Sequence, residues 1–160
     1  MMKITLICLG KLKDACLRGA CGEYVKRLRP MCSVDIVEIH PSKLPDNPSA
    51  AAISAALSAE SALIFKSIPA RSRVYALCVE GSEFSSGEFA DSIKNGAVKG
   101  AGSLTFIIGS SFGLADTVKD KADVRMSVSK MTFPHQLARV MLLEQLYRAF
   151  QINGGGKYHK

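Results

Sequence analysis

The sequence predicts an α/β fold, a mostly parallel sheet with helices on both faces, and three observations carry that expectation. Apolar, β-branched runs recur along the chain, and helical stretches separate them. A chain of 160 residues that is 48% hydrophobic and 22% charged has the profile of one compact domain, 1–160. Alternating strands and helices imply right-handed crossovers between parallel strands.

"KITLICL" is the first strand, and a helix follows around Asp14 to Leu28. "VDIVEI" is the second strand, and the Pro- and Ser-rich "HPSKLPDNPSA" behind it reads as a surface loop rather than a domain boundary. An alanine-rich helix spans Ala50 to Lys66, ahead of the third strand, "VYALCV". Glu88 stands three residues after Ser85, the spacing of a capping box, and marks the start of the third helix. "LTFIIG" is a buried strand with a short helix after Leu114, and "VRMSVS" is a weaker, alternating fifth strand. The last helix begins at Pro134, a residue suited to a first helical turn.

A chain of this length buries roughly 70% of the surface it would expose unfolded, so neither disulfides nor a structural metal is required. The cysteines (Cys8, Cys16, Cys21, Cys32 and Cys78) are odd in number and contain no C-x-x-C, which fits reduced thiols. Metal binding by Cys16 and Cys21 is the alternative to small buried or half-buried residues; no metal is expected. The N-terminus lacks the pattern of a signal peptide, and no run has the roughly 18 apolar residues of a membrane span, so a soluble cytoplasmic protein is expected. A net charge of +7 and a pI near 9.3 favour a polyanionic partner. Lys11, Lys13, Arg18, Lys26, Arg27 and Arg29 lie close enough in sequence to make one basic face, or else a solvated helix surface.

Ligands of an open parallel sheet bind where loops leave the carboxyl ends of the strands. In "FIIGSSFGLAD", Gly109 and Gly113 bracket a tight turn that lets backbone amides approach a ligand. It is neither G-x-G-x-x-G nor a P-loop, and it lacks the lysine a triphosphate site needs. In "SVSKMTFPHQ", mixed polar and apolar residues suit an adenine, or a plain strand-to-helix connection. On the last helix, Glu144, Arg148 and Gln151 form a polar stripe, while Arg139 projects to the other side, one turn after His135. His135 and Arg139 are candidate site residues or a locally satisfied core pair. Apolar residues on both sides of the stripe suggest two surfaces to bury, one of them against a second subunit. Gly154, Gly155 and Gly156 form a hinge that lets Tyr158 and His159 turn back towards an active-site mouth; a frayed basic end is the alternative.

The run "SKMTFPHQLARVMLLEQLYRAFQI" with terminal "YHK", the opening "MKITLICLGKLK" and the loop "FIIGSSFGL" together resemble the RlmH family of bacterial rRNA methyltransferases, over the whole chain. The resemblance implies the SPOUT superfamily, whose sheet carries a C-terminal trefoil knot. It implies a homodimer packed partly through the last helix, S-adenosylmethionine (S-adenosyl-L-methionine, SAM) as cofactor, and N3 of a pseudouridine in the intersubunit stem-loop of 23S rRNA, within the 70S ribosome, as acceptor. The SAM contacts it implies are Leu77, Gly109, Val128, Ser129, Lys130, Met131, Thr132 and Phe133. The family commonly carries two glycines where this chain has Gly109 and Ser110, and a serine would be strained there if the position took a positive φ.

An imide nitrogen such as pseudouridine N3 is a poor nucleophile until its proton leaves. The enzyme's tasks are therefore positioning, stabilisation of the imide anion and proton removal. Arg139 suits the developing negative charge on the base, His135 or His159 suits the proton, and Tyr158 suits stacking on the target base or its neighbour. Two other classes remain open: a non-catalytic basic RNA-binding module, and a nucleotide-dependent hydrolase or transferase on an ordinary doubly wound sheet. The missing lysine in the glycine loop weighs against the second.

Overall fold

The structure, a computed structural model, describes residues 1–98 and 102–158. Strands β1 (Met2–Leu9), β2 (Cys32–Ile39), β3 (Ser72–Glu83), β4 (Ser103–Ile108) and β5 (Val124–Ser127) alternate with helices α1 (Ala15–Leu28), α2 (Ala50–Ser67), α3 (Ser86–Val98), α4 (Asp116–Lys121) and α5 (His135–Asn153). The strands form a five-stranded sheet in the order β2-β1-β4-β3-β5, with every pairing parallel. β5 ends at Ser127, so Val128 and Ser129 belong to the loop that follows it.

Helix starts follow the side chains that can cap them. Asp14 accepts from the amides of Cys16 and Leu17 at 2.8 and 3.1 Å, satisfying donors that α1 itself cannot pair. Ser85 and Glu88 form the reciprocal capping box: Ser85 Oγ accepts from the Glu88 amide, and the Glu88 carboxylate accepts from the Ser85 amide at 2.7 Å. In the Pro- and Ser-rich loop after β2, the Ser42 amide donates to the buried Glu60 of α2 at 2.9 Å.

The central strands β1 and β4 bury both faces, which is why they read as nearly continuous apolar runs. On one face Leu6, Cys8, Tyr75, Leu104 and Phe106 pack with Phe89 and Ile93 of α3 and Leu142, Leu143 and Leu146 of α5. Tyr75 and Phe106 stack there with ring centroids 4.7 Å apart. On the other face Ile7, Leu9, Ala76 and Ile107 pack with Ile64 of α2 and Val118 of α4. Helices thus cover both faces, as the alternating sequence implies. Among the described residues no helix is long and apolar enough to cross a membrane.

Candidate cofactor and catalytic site

A bulge within β3 and the loops leaving the carboxyl ends of β4 and β5 line a cavity of about 700 Å³. Three local features shape it. β3 shifts register against β5 between Leu77 and Ser82, so Cys78, Val79 and Glu80 bulge away from the ladder and line the cavity. Beyond the bulge, a Cβ on Gly81 would fall 2.7 Å from the backbone of Met126, so only glycine lets the two strands rejoin. After β4 the chain closes a turn in which the Gly113 amide donates to the Ser110 carbonyl at 2.9 Å. A Cβ on Gly109 would lie 2.4 Å from the Gly113 carbonyl oxygen, so close backbone approach requires glycine there. Among the described residues, Arg71 is the one non-glycine with positive φ, so Ser110 carries none of the strain that a left-handed position would impose.

The third wall is the stretch from β5 into α5. The Ser129 hydroxyl accepts from the Met131 amide at 3.0 Å, and the Ser127 hydroxyl donates to the Ser129 carbonyl at 2.8 Å. Together these fold residues 127–131 into a compact turn. Leu77, Ile108, Leu114, Met126, Val128 and Phe133 give the cavity apolar walls. Its charged edge is Lys119, whose ammonium donates to Glu80 at 2.6 Å and pairs with Asp116 at 3.0 Å. The hydrogen bond from Lys119 holds the Glu80 carboxyl below its ordinary range, so the pair is ionised near neutral pH.

His135 opens α5 and lines the same cavity. Burial, helped by the nearby Arg139 charge, lowers its pKa below the ordinary imidazole value, so it is neutral at pH 7. Arg139 lies beneath it, at 2% exposure. It donates from Nη1 to Glu38 at 2.7 Å and from Nη2 to the Gly10 carbonyl at 2.8 Å. The guanidinium therefore ties α5 to the ends of β1 and β2 and does not enter the cavity lining. Burial pushes the adjacent Cys8 thiol up to about 12, which leaves it protonated and unreactive. Replacing Arg139 with Met is expected to cost roughly 3 kcal/mol in urea unfolding, because Glu38 and the Gly10 carbonyl lose their partner. A loss under about 1 kcal/mol would show that the pair carries little stability.

Comparison with known proteins bears on the whole chain. A family model described as "Predicted SPOUT methyltransferase" matches residues 2–159. The protein named "Ribosomal RNA large subunit methyltransferase H" of Streptococcus pyogenes serotype M5 (strain Manfredo) is 44% identical over 159 residues, which is 99% of this chain and 100% of that one. The protein of the same name from Clostridium botulinum (strain Kyoto / Type A2) is 45% identical with the same coverage. The chain belongs to the RlmH family of SPOUT methyltransferases. Its fold is also similar to a probable methyltransferase from Bordetella pertussis Tohama I, with a TM-score of 0.54 at 17% identity over 92% of this chain and 95% of that one. A probable methylase family protein from Haemophilus influenzae Rd KW20 gives 0.52 at 16% identity, covering 99% of this chain and 70% of that one.

Of the residues that the RlmH resemblance marks for the cofactor, Leu77, Gly109, Val128, Ser129, Met131, Thr132 and Phe133 line the cavity. Lys130 is exposed and is not in the lining. Tyr158 lies elsewhere: its hydroxyl donates to Glu144 at 3.3 Å, and its ring meets Tyr147 edge-on with centroids 4.8 Å apart. His159 falls outside the described residues. Sequence reading missed Glu80, Lys119 and Phe112, which also line the cavity. A glycine inside a strand, Gly81, was the available sign of the bulge that presents Glu80. Lys119 carried no sign, because its partner Glu80 is 39 residues away.

Proposed function

We propose that this RlmH-family chain, as one domain over 1–160, is a cytoplasmic, homodimeric enzyme that uses SAM to methylate N3 of a pseudouridine in the intersubunit stem-loop of 23S rRNA on the assembled 70S ribosome. The observation that carries the reading is the cavity itself: a bulge within one parallel strand and loops from the ends of two others, with a neutral His135 in the same lining. The names of the Streptococcus and Clostridium relatives support an rRNA substrate.

The residues present fit SAM. A volume of about 700 Å³ lies within the range of small-molecule sites, and apolar walls beside the exposed backbone of two turns suit an adenosine. When bound, SAM supplies an activated methyl group on a sulfonium. Leu77, Val128, Met131 and Phe133 would hold the adenosine among apolar side chains, while Gly109, Ser129 and Thr132 would offer main-chain groups. Gly109→Ala is expected to weaken SAM binding at least about tenfold by calorimetry, or about 1.4 kcal/mol, since the added carbon forces the 109–113 turn open. Unchanged affinity would take Gly109 out of the site.

Neutral His135 would accept the N3 proton, with His159 as the other candidate. Arg139, one turn below, would favour the developing negative charge while bracing the floor of the site. Four large apolar residues that line the cavity are at least one-third exposed: Val79, Phe112, Val128 and Met131. Val79 and Phe112, which the cofactor reading leaves unassigned, support burial of this edge against a second copy. Membership of the SPOUT methyltransferase family over residues 2–159 supports the trefoil knot.

The substrate reading is tested by comparing methyl transfer to 70S ribosomes lacking the modification with transfer to the isolated stem-loop. The expectation is efficient reaction on 70S, poor reaction on the stem-loop, and rates that fall as salt rises. Equal rates on both substrates would remove the ribosome from the proposal. RNA binding without any transfer would favour the non-catalytic module. Sedimentation at micromolar concentration is expected to show a dimer; a monomer with full activity would refute the dimeric reading.

A further inference from the structure

The loop between β1 and α1, residues 10–13, is fixed from more directions than a short connection needs. The Gly10 amide donates to the Ile39 carbonyl at 2.8 Å, and the Gly10 carbonyl accepts from Arg139. Arg18 reaches back from α1 and donates through Nη1 to the carbonyls of Leu12 and Lys13, both at 3.0 Å. The Lys13 amide donates to Gln136 Oε1 at 3.3 Å, and Leu12 is buried. What this scaffold presents to solvent is a pair of lysines, Lys11 and Lys13, one on each side of Leu12.

Their position is at the mouth of the site. A Cβ on Gly10, φ +108°, would lie 3.5 Å from His135 Nε2, and Lys13 is bonded to the residue after His135. No ion pair among the described residues occupies either ammonium. Of the remaining basic residues of the early sequence, Arg18 lies against the same loop and the others do not. Lys26, Arg27 and Arg29 lie at the far end of α1, about 20 Å along its axis. Arg27 is moreover paired with Glu23 at 2.8 Å, while Arg18 spends Nη1 on the two loop carbonyls.

We propose that Lys11 and Lys13 form a clamp for the RNA phosphates flanking the target nucleotide, and that Arg18 is a positioning residue that sets the loop carrying them. The proposal rests on the reading of this chain as an rRNA methyltransferase and assigns the substrate contact within it. A braced backbone lowers the ordering cost of gripping a phosphodiester, and contacts of this kind set register without reading sequence. Because Arg139 holds Gly10 and lies one turn from His135 on α5, the clamp and the candidate base share one rigid support.

The test compares two double variants that remove equal charge: Lys11→Ala/Lys13→Ala at the mouth, and Lys66→Ala/Lys94→Ala at the opposite end of the sheet. The mouth variant is expected to raise KM for 70S ribosomes about tenfold with kcat within about threefold of wild type. It is also expected to flatten the dependence of log(kcat/KM) on log salt by roughly 1.5, the loss of two phosphate contacts. SAM affinity and melting temperature should not change in either variant. If the two variants behave alike, only net charge matters and the clamp is wrong. Arg18→Ala should raise KM in the wild-type background and have no further effect in the Lys11→Ala/Lys13→Ala background; additive effects would mean that Arg18 touches RNA itself and is not a brace. Wild-type protein that transfers no methyl to ribosomes would instead refute the functional reading beneath the proposal.

Discussion

Removing residues 157–160 is expected to lower methyl transfer to ribosomes by about 10²-fold or more, with SAM binding and thermal unfolding close to those of the full chain. The geometry of the tail gives this expectation its form. α5 ends in a Schellman motif: the Gly155 amide donates to the Ile152 carbonyl at 3.2 Å and the Gly156 amide to the Gln151 carbonyl at 2.7 Å, with Gly155 at φ +70°. The chain therefore turns back along its own helix. Tyr158 then settles over Arg148, 4.7 Å from guanidinium to ring, with its hydroxyl on Glu144. Glu144 is nine residues beyond His135, about 13 Å along the helix, so a tail seated there does not serve the His135 of its own chain. In a dimer it would serve the partner. Mixing truncated chains with His135→Ala chains separates the cases: recovered activity means that the intact tail completes the partner's site, and none means that it acts within its own chain. If truncated protein keeps the full rate, Tyr158 and His159 have no catalytic part.

The second large effect is expected at His135. His135→Ala should lower kcat by about 10²–10³-fold with little change in SAM affinity, the usual scale for losing a general base. The pH profile adds a signature. Burial and the Arg139 charge lower the pKa of His135, so the neutral, proton-accepting form persists to below pH 6.5. Wild-type kcat should accordingly be flat from pH 7 upward on this limb and fall only as pH drops through that lowered value. The variant should lose this acid limb. An unchanged limb in His135→Ala would assign the proton to another group.

Much of the fold was legible because strands buried on both faces leave continuous β-branched runs, and because Asp14, Ser85 and Glu88 announce helix starts by local chemistry. Strand order was not, since the pairings of β1 with β4 and of β3 with β5 join segments far apart in sequence. The same limit applied at the site. Arg139 stood out as a charge on an apolar face, but its partner Glu38 lies 101 residues away, and nothing local announced that the guanidinium would be tied to Glu38 and the Gly10 carbonyl. The polar stripe Glu144, Arg148 and Gln151 suggested solvent; the tail covers part of it instead, because Tyr158 finds both an acceptor and a cation there. The six early basic residues suggested one face, and the 14-residue length of α1 divides them between its two ends.

The most direct test of the central claim is the identity of the product nucleoside. Ribosomes lacking the modification would be incubated with the protein and SAM carrying a labelled methyl group, and the 23S rRNA digested to nucleosides and separated. The account predicts a single labelled species, N3-methylpseudouridine, from the intersubunit stem-loop, made by the wild-type chain and nearly absent with His135→Ala. Label in any other nucleoside, or none in 23S rRNA, would contradict it.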